Sequence, residues 1–167
     1  MDGNIAQNFD NEITANYPTL EFQGVGEKDI FDQTVNIAGD FIVATGTTVN
    51  GNDEVFNFFG DNWTINGNFL HTNTVNFLKD NSGGATNISS SNFNNLVVGD
   101  AVTATTVDLT GNIALEANLT INDLSTLNAN NFNIQLESDW NGYGTYVPGT
   151  GSVTFIGNFS QIRTDDD

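Results

Sequence analysis

Residues 111–122 read GNIALEANLTIN, and this stretch indicates how the chain folds. Ile113 and Leu115 alternate with other residues, as do Leu119 and Ile121, and Gly or Asn precedes each pair. Successive side chains of a strand point to opposite faces, so each pair places its apolar residues on one face. Gly and Asn tolerate the positive φ that tight turns need. The stretch therefore predicts two short strands, each with one buried face, joined by a turn.

The same alternation recurs along the chain between turn-forming segments. Further apolar pairs at period two are Val35/Ile37, Phe41/Val43, Phe56/Phe58, Trp63/Ile65, Val75/Phe77, Ile134/Leu136 and Val153/Phe155. Segments such as Asn50-Gly51-Asn52 and Asn66-Gly67-Asn68 separate them. No stretch has a sustained helical period with caps. We therefore predict an all-β fold.

The composition excludes several classes of protein. The 167 residues include 27 Asn and 20 Thr, and three Lys or Arg stand against 21 Asp or Glu, so the formal net charge is −18. Almost nothing is present to neutralise phosphates, which argues against nucleic acid as a partner and against contact with anionic membranes. The absence of Cys excludes disulfides and thiolate metal sites. No apolar run approaches the roughly 18 residues of a membrane-spanning helix, so we expect no membrane insertion.

A self-alignment at an offset of about 77 residues is the strongest organisational signal. The only two tryptophans, Trp63 and Trp140, anchor it, and apolar matches at offsets of 76 to 78 include Leu20 with Leu96, Phe69 with Tyr146, Val75 with Val153 and Phe41 with Leu119. We divide the chain into the end of a preceding repeat (1–16), a first unit (17–92) and a second unit with an acidic tail (93–167). One continuous solenoid is the alternative to separate units. The first residues lack the pattern of a signal peptide, so we expect a segment of a longer chain.

Two all-β architectures fit these repeats. In a β-solenoid (β-helix), each coil bonds to the next, apolar side chains stack inside, and Asn-rich corners bond from coil to coil. A ladder at intervals of 19 supports it: Phe58, Phe77, Leu96, Leu115, Ile134 and Val153. In the alternative, each unit is a small β-sandwich, for which a unit of this length is short. We favour the solenoid of about two 77-residue repeats.

The order of motifs in the second unit resembles a known class of repeats. The motifs are residues 93–98 (FNNLVV), 117–122 (ANLTIN), 127–134 (LNANNFNI), 139–140 (DW) and 148–155 (PGTGSVTF). Together they resemble the repeats of very large secreted surface proteins of Bacteroidota, which are commonly exported by the type IX secretion system. The resemblance covers nearly the whole chain, more loosely in the first unit. It implies a repetitive, β-helical, extracellular stalk or adhesin segment.

Candidate sites for cations and catalysis are sparse. Hard cations prefer oxygen ligands, which makes Asp53, Glu54, Asp61 and Asp100 candidates for weakly bound Ca²⁺, although none follows an EF-hand or nonapeptide pattern. A solvated acidic turn is the simpler interpretation. His71 is the only histidine, and we expect an exposed loop residue because catalysis would require convergent partners.

The aromatic residues allow a second function. Trp63, Trp140, Phe69 and Tyr146 recur at matched positions, which favours structural anchors over sugar-stacking platforms. Tyr143 and Tyr146 are the best candidates for an exposed glycan-binding surface. A β-helical enzyme acting on polysaccharides is a third alternative. Cleavage of acidic sugars requires cations, and only the scattered Lys28, Lys79 and Arg163 are available.

We therefore expect a non-enzymatic stalk, spacer or filament segment of a large extracellular surface protein. Its partners would be neighbouring repeats of the same parent chain, with self-assembly as an extension. The alternative from another class is an adhesin module that binds a glycan or a cell-surface protein. No cofactor is expected apart from weakly bound Ca²⁺.

Overall fold

The computed structural model describes residues 16–31 and 34–164 of the chain. Most of the predicted preceding repeat and the last three residues of the acidic tail lie outside these ranges. Within them, the strands in chain order are β1 (Asn16–Tyr17), β2 (Leu20–Phe22), β3 (Gly26–Asp29), β4 (Thr34–Ile37), β5 (Phe41–Val43), β6 (Thr47–Asn52), β7 (Val55–Phe58), β8 (Asn62–Ile65), β9 (Asn68–His71), β10 (Thr74–Phe77), β11 (Thr86–Ile88), β12 (Ser91–Phe93), β13 (Asn95–Val98), β14 (Thr106–Leu109), β15 (Ile113–Leu115), β16 (Leu119–Ile121), β17 (Thr126–Asn128), β18 (Ile134–Leu136), β19 (Trp140–Gly142), β20 (Thr145–Val147), β21 (Val153–Phe155) and β22 (Ile162–Thr164). A short 3-10 helix, Asn81–Gly83, lies between β10 and β11.

Each turn of the chain contributes one strand to each of three faces. The first face is an eight-stranded sheet from β1 to β22, and the second is a seven-stranded sheet from β2 to β20. The third face is divided into β3-β6-β9 and β12-β15-β18-β21. Every described strand pair is parallel. The number of residues that separates register partners varies from turn to turn: it is small between Ile134 and Val153 and larger between Trp63 and Ile88. The fold is a β-solenoid of about seven turns, which confirms the predicted fold class.

The interior is filled by the alternating apolar residues that the sequence indicated. Strands such as β6 and β16 alternate between buried and partly exposed positions along their length. The buried residues form one hydrophobic cluster from Leu20 to Trp140. Burying a large apolar side chain contributes about 1.5–3 kcal/mol, so the stacked interior is the main source of stability.

Aromatic rings concentrate in the first four turns of this core. Trp63 is fully buried and stacks on Phe41 with ring centroids 4.2 Å apart. Phe69 and Phe77 pack edge-on against the same indole at 5.3 and 5.6 Å. Trp140 is also buried. Their burial confirms that Trp63, Trp140 and Phe69 are structural anchors rather than exposed sugar platforms.

The 77-residue self-alignment relates residues that lie on different faces. Trp63 is on β8 of the second face, whereas Trp140 is on β19 of the first. Leu20 on β2 and its match Leu96 on β13 show the same shift. Each match advances eleven strands, which is three turns and two further strands. The offset therefore preserves the alternation of buried and exposed positions but changes the face.

The ladder at intervals of 19 is only partly a physical stack. Phe58 pairs with Phe77, and Ile134 pairs with Val153, as the ladder requires. The other three steps join residues that do not pair, since Leu96 pairs with Val75 and with Leu119, and Leu115 pairs with Leu136. Most turns contain more residues than the ladder interval, so residues that are 19 positions apart in sequence do not all lie on the same face.

Candidate functional site

Outward-facing Asn side chains form hydrogen-bonded ladders along the solenoid axis. On the first face, Asn57 Nδ2 donates to Asn36 Oδ1 at 3.0 Å, and Asn76 Nδ2 donates to Asn57 Oδ1 at 2.9 Å. The three residues are in register on β4, β7 and β10. An amide carries both a donor and an acceptor, so amides one strand spacing apart can bond in series. Each rung reinforces the backbone bonds between turns.

A second kind of ladder runs along the corners. Asn95 Oδ1 accepts the backbone N–H of Asn118 at 3.2 Å, and Asn118 Oδ1 accepts that of Asp139 at 3.1 Å. Asp139 Oδ1 then accepts the backbone N–H of Gln161 at 3.0 Å. These contacts confirm that side chains at Asn-rich corners bond from turn to turn. The ladder on the strand face was missed from sequence, although its signal was present in the spacing of Asn36, Asn57 and Asn76.

Replacing Asn57 with alanine is expected to lower the free energy of unfolding by about 2 kcal/mol, because two neutral hydrogen bonds are lost. Urea denaturation measures the effect. The control is Asn68→Ala, which removes one exposed and long contact, Asn68 Nδ2 to Thr48 Oγ1 at 3.4 Å, and is expected to cost less than about 0.5 kcal/mol. Equal effects of the two substitutions would show that the ladder does not stabilise the turns.

The last described turn leaves apolar side chains uncovered at one end of the solenoid. Val153 and Phe155 are only partly buried, whereas their register partners Ile134 and Leu136 are fully buried. A cavity of about 320 Å³ opens here, lined by Trp140, Gly142, Gly144, Tyr146, Val153, Phe155, Ile162 and Thr164. A further turn stacked on this end would cover these groups.

The structure separates the two tyrosines that were candidates for ligand binding. Tyr143 lies in the corner between β19 and β20 and is 40% exposed. Tyr146 faces the open end of the core and packs edge-on against Trp140 at 4.8 Å. Desolvation raises the pKa of the Tyr146 phenol. The two rings therefore do not form one platform, and a glycan-binding role for them stays a prediction.

The candidate carboxylates are likewise distributed over the surface. Asp53 and Glu54 lie between β6 and β7, at the corner that joins the third face to the first. Asp61 and Asp100 lie at corners that join the first face to the second, and these two corners are two turns apart. Asp61 forms an ion pair with Lys79 at 2.5 Å. Asp100 Oδ1 accepts the backbone N–H groups of Val102 and Thr103, and these bonds lower the pKa of its carboxyl group. No group of three or more His, Cys, Asp or Glu suited to a metal ion occurs among the described residues.

We expect the melting temperature to be the same in millimolar calcium and in excess chelator, because carboxylates that do not converge on one point bind Ca²⁺ too weakly to favour the folded state. Differential scanning calorimetry measures this, with magnesium as the control for ionic strength. A calcium-specific increase in the melting temperature would restore Asp53, Glu54, Asp61 and Asp100 as candidate ligands.

The basic residues are dispersed, as the sequence indicated. Lys28 is on β3 in the first turn, Lys79 follows β10 in the fourth, and Arg163 is on β22 beyond the seventh. Lys79 Nζ also donates to the Gly83 carbonyl at 3.0 Å, so it holds the wide corner after β10. Arg163 donates to Gln161 Oε1 at 2.6 Å and lies 3.4 Å from Asp139. Each of these two cations has a structural partner.

The prediction that His71 is an exposed loop residue is wrong. His71 ends β9, is 8% exposed, and stacks on Phe69 with ring centroids 4.7 Å apart. It lies where the third face is divided, and its Nε2 accepts the backbone N–H of Asn94 at 3.4 Å. Burial lowers the pKa of His71 to about 4, against the smaller opposing effects of the Asn92 and Asn73 backbone. The imidazole therefore packs as a neutral core residue at pH 7.

Acidification from pH 7 to pH 5 is expected to lower the free energy of unfolding by about 2 kcal/mol through His71 alone. The unfolded chain binds a proton at His71 below its ordinary pKa of 6.5, whereas the folded chain does so only near pH 4. Stability is therefore lost as the pH falls through this window. Urea denaturation at both pH values measures the change, and His71→Phe should remove this part of it. The same pH dependence in His71→Phe would assign the effect to other groups.

No protein-family model, no curated protein and no solved structure matches the chain. Within the described residues, no helix is both long and apolar enough to span a bilayer. We therefore infer the function from the ladders, the open end and the distribution of charge.

Proposed function

We propose that this chain is a non-enzymatic stalk or spacer segment of a large extracellular surface protein of the adhesin type. The observation that carries the proposal is the continuity of bonding along the axis. The first face runs through eight strands without a break, and the Asn ladders follow the same axis. Such a segment transmits force and keeps its two ends a fixed distance apart, and neither task requires a reaction centre.

The geometry supports a stiff rod of defined length. Strands in a sheet are spaced by about 4.8 Å, so about seven turns advance roughly 34 Å along the axis. Bending the rod would compress one face and open another, and both changes break bonds between turns. A segment of this kind therefore holds its ends at a set separation, unlike a Gly/Ser linker.

One apolar end and the charged surface support assembly along the axis. The apolar end lined by Trp140 and Phe155 suits another turn of the same fold, supplied by a neighbouring repeat of the parent chain or by a second copy. The formal charge of −18 keeps such rods apart laterally and in solution. The resemblance to Bacteroidota repeats supports an extracellular setting and export by the type IX route.

Location and spacer role have separate tests. Antibodies against this chain are expected to label intact cells of the source organism, and labelling only after permeabilisation would contradict the extracellular setting.

For the spacer role, a Gly/Ser linker of equal residue number replaces the segment in its parent protein. We expect binding of the purified ligand to persist while the rupture distance measured by force microscopy changes. Loss of ligand binding would instead favour a binding module.

A further inference from the structure

A groove on the third face differs from the rest of the surface. Its floor is a row of outward-facing residues in register, one per turn: Asn92 on β12, Ala114 on β15, Gln135 on β18 and Thr154 on β21. The cavity volume is about 460 Å³. We call this region the third-face groove. It runs along the solenoid axis.

The groove has a wall because one corner lengthens along the chain. The segments joining the second face to the third are residues 89–90, 110–112, 129–133 and 148–152 in successive turns. Asn112, Asn133 and Ser152 end the last three of these segments and line the groove. These corner residues therefore border the floor along one side.

The side chains on the floor of the groove have unused hydrogen-bonding groups, in contrast to the ladders, whereas Asn133 Oδ1 beside the floor accepts from Ser152 N–H and Oγ–H at 3.0 Å. The side chains of Asn92, Gln135 and Thr154 are exposed and have no hydrogen-bond partner among the described residues. Along the wall, Asn112 Oδ1 accepts the backbone N–H of Asn133 at 2.8 Å, which leaves the Asn112 amide donor without a partner within the same ranges. The groove thus presents amide and hydroxyl groups about every 4.8 Å along the axis.

The charge of the groove selects the class of ligand. No lining residue is charged, although the chain carries 21 acids. Glu116 and Glu137 follow β15 and β18 directly and are exposed at the far edge of the floor. They repel polyanions, and the lining holds no cation that would attract them. Ala114 and Ile156 supply apolar contact for the C–H faces of a polyhydroxylated ring.

We propose that the third-face groove binds a linear, uncharged oligosaccharide laid along the solenoid axis, with about one sugar unit per turn. The amide and hydroxyl groups donate to and accept from the sugar hydroxyls. Without an aromatic platform in the lining, the dissociation constant is on the order of 1 mM for a hexasaccharide. This binding goes beyond the spacer role, which requires no ligand, so either can fail without the other.

The test is a titration of the ¹⁵N-labelled chain with neutral hexasaccharides, followed by NMR. Cellohexaose, maltohexaose and mannohexaose are the probes, and hexagalacturonate is the acidic comparison. We expect at least one neutral probe to shift the signals of Asn92, Ala114, Gln135 and Thr154, and hexagalacturonate to shift none. No shift with any neutral probe, shifts centred on Tyr143 instead, or equal shifts with hexagalacturonate would overturn the proposal.

Variants assign the binding to the groove. Gln135→Ala combined with Thr154→Ala is expected to weaken binding roughly tenfold, because two neutral hydrogen bonds are lost. Thr145→Ala, an exposed change on β20 of the second face, is the matched control and should leave binding unchanged. Ala114→Glu provides an independent test by placing a charge on the floor, and it should abolish binding. Unchanged binding in a folded Ala114→Glu variant would overturn the assignment.

Discussion

Replacing Trp63 with alanine is expected to lower the free energy of unfolding by about 4 kcal/mol. The indole is fully buried and contacts rings from three successive turns, including Phe41 at 4.2 Å and Phe77 at 5.6 Å. Its removal leaves a cavity that the rigid neighbouring turns cannot close, because their spacing is set by backbone bonds. Urea denaturation followed by circular dichroism measures the change.

Two comparisons separate packing from other effects of the Trp63 substitution. Phe59→Ala removes a ring of similar chemistry that is 41% exposed in the corner before the same strand, and it should cost less than about 1 kcal/mol. Trp63→Phe keeps an aromatic ring and removes the indole N–H, which is buried without a hydrogen-bond partner among the described residues. It should therefore cost less than Trp63→Ala. If Trp63→Ala were no more damaging than Phe59→Ala, the aromatic cluster would not be the centre of the core.

The strands and their buried faces could be predicted from sequence because both depend on local rules. Ile113 and Leu115, or Leu119 and Ile121, must share a face whatever the rest of the chain does, since side chains alternate along any strand. The structure confirms both pairs as buried. The choice of a solenoid over sandwiches followed from the same pattern, together with Asn-rich corners that suit stacking.

The length of a turn could not be predicted in the same way. The match of Trp63 with Trp140 advances eleven strands, so the unit that repeats is a single strand with its corner. Self-alignment detects that small unit and any multiple of it, because each multiple restores the alternation. Which three strands close a turn depends on the angles of the corners, and contacts with the turns above and below set those angles. Trp63 and Trp140 therefore matched in sequence while lying on different faces.

The candidate sites could be predicted from sequence even less well, because the positions of their side chains depend on the tertiary structure. His71 lies in a polar stretch of sequence, yet it packs beside Phe69 because β9 brings its last residue into the core. Tyr143 and Tyr146 are close in sequence, but the corner before β20 leaves one exposed and turns the other inward. The third-face groove was also missed, since only the register of β12, β15, β18 and β21 aligns its neutral side chains.

Amide chemistry gives one physical account of the spacer and the groove. In the ladders, Asn36, Asn57 and Asn76 satisfy each other, so the first face is bonded internally and has little left for a ligand. In the groove, Gln135 and Thr154 lack such partners among the described residues and remain available to one. The difference lies in which side chains occupy matching register positions on successive turns. An Asn row makes a ladder, whereas a mixed Asn, Ala, Gln and Thr row leaves its groups free.

The second large effect is expected at Gly60, in the corner between the first and second faces. A Cβ atom at Gly60 would overlap the carbonyl oxygen of Gly39 one turn earlier, and Gly39 is itself in the same relation to Pro18. The Gly60 carbonyl oxygen also accepts a hydrogen bond from the buried Thr86 hydroxyl, with Thr86 Oγ1 at 2.8 Å. Since the obstructing atoms belong to the backbone, an added methyl group must separate adjacent turns and weaken this bond.

Gly60→Ala is therefore expected to lower the free energy of unfolding by about 3 kcal/mol or more. The matched control is Gly83→Ala, where the added methyl group would meet only the flexible Lys79 side chain at 3.4 Å, and it should change stability by less than about 0.5 kcal/mol. Chemical denaturation gives both values, and hydrogen exchange at Thr86 reports whether the turns separate locally. Equal midpoints for Gly60→Ala and Gly83→Ala would mean that the corner can expand without loss, and the close stacking of turns would then not determine the stability of the rod.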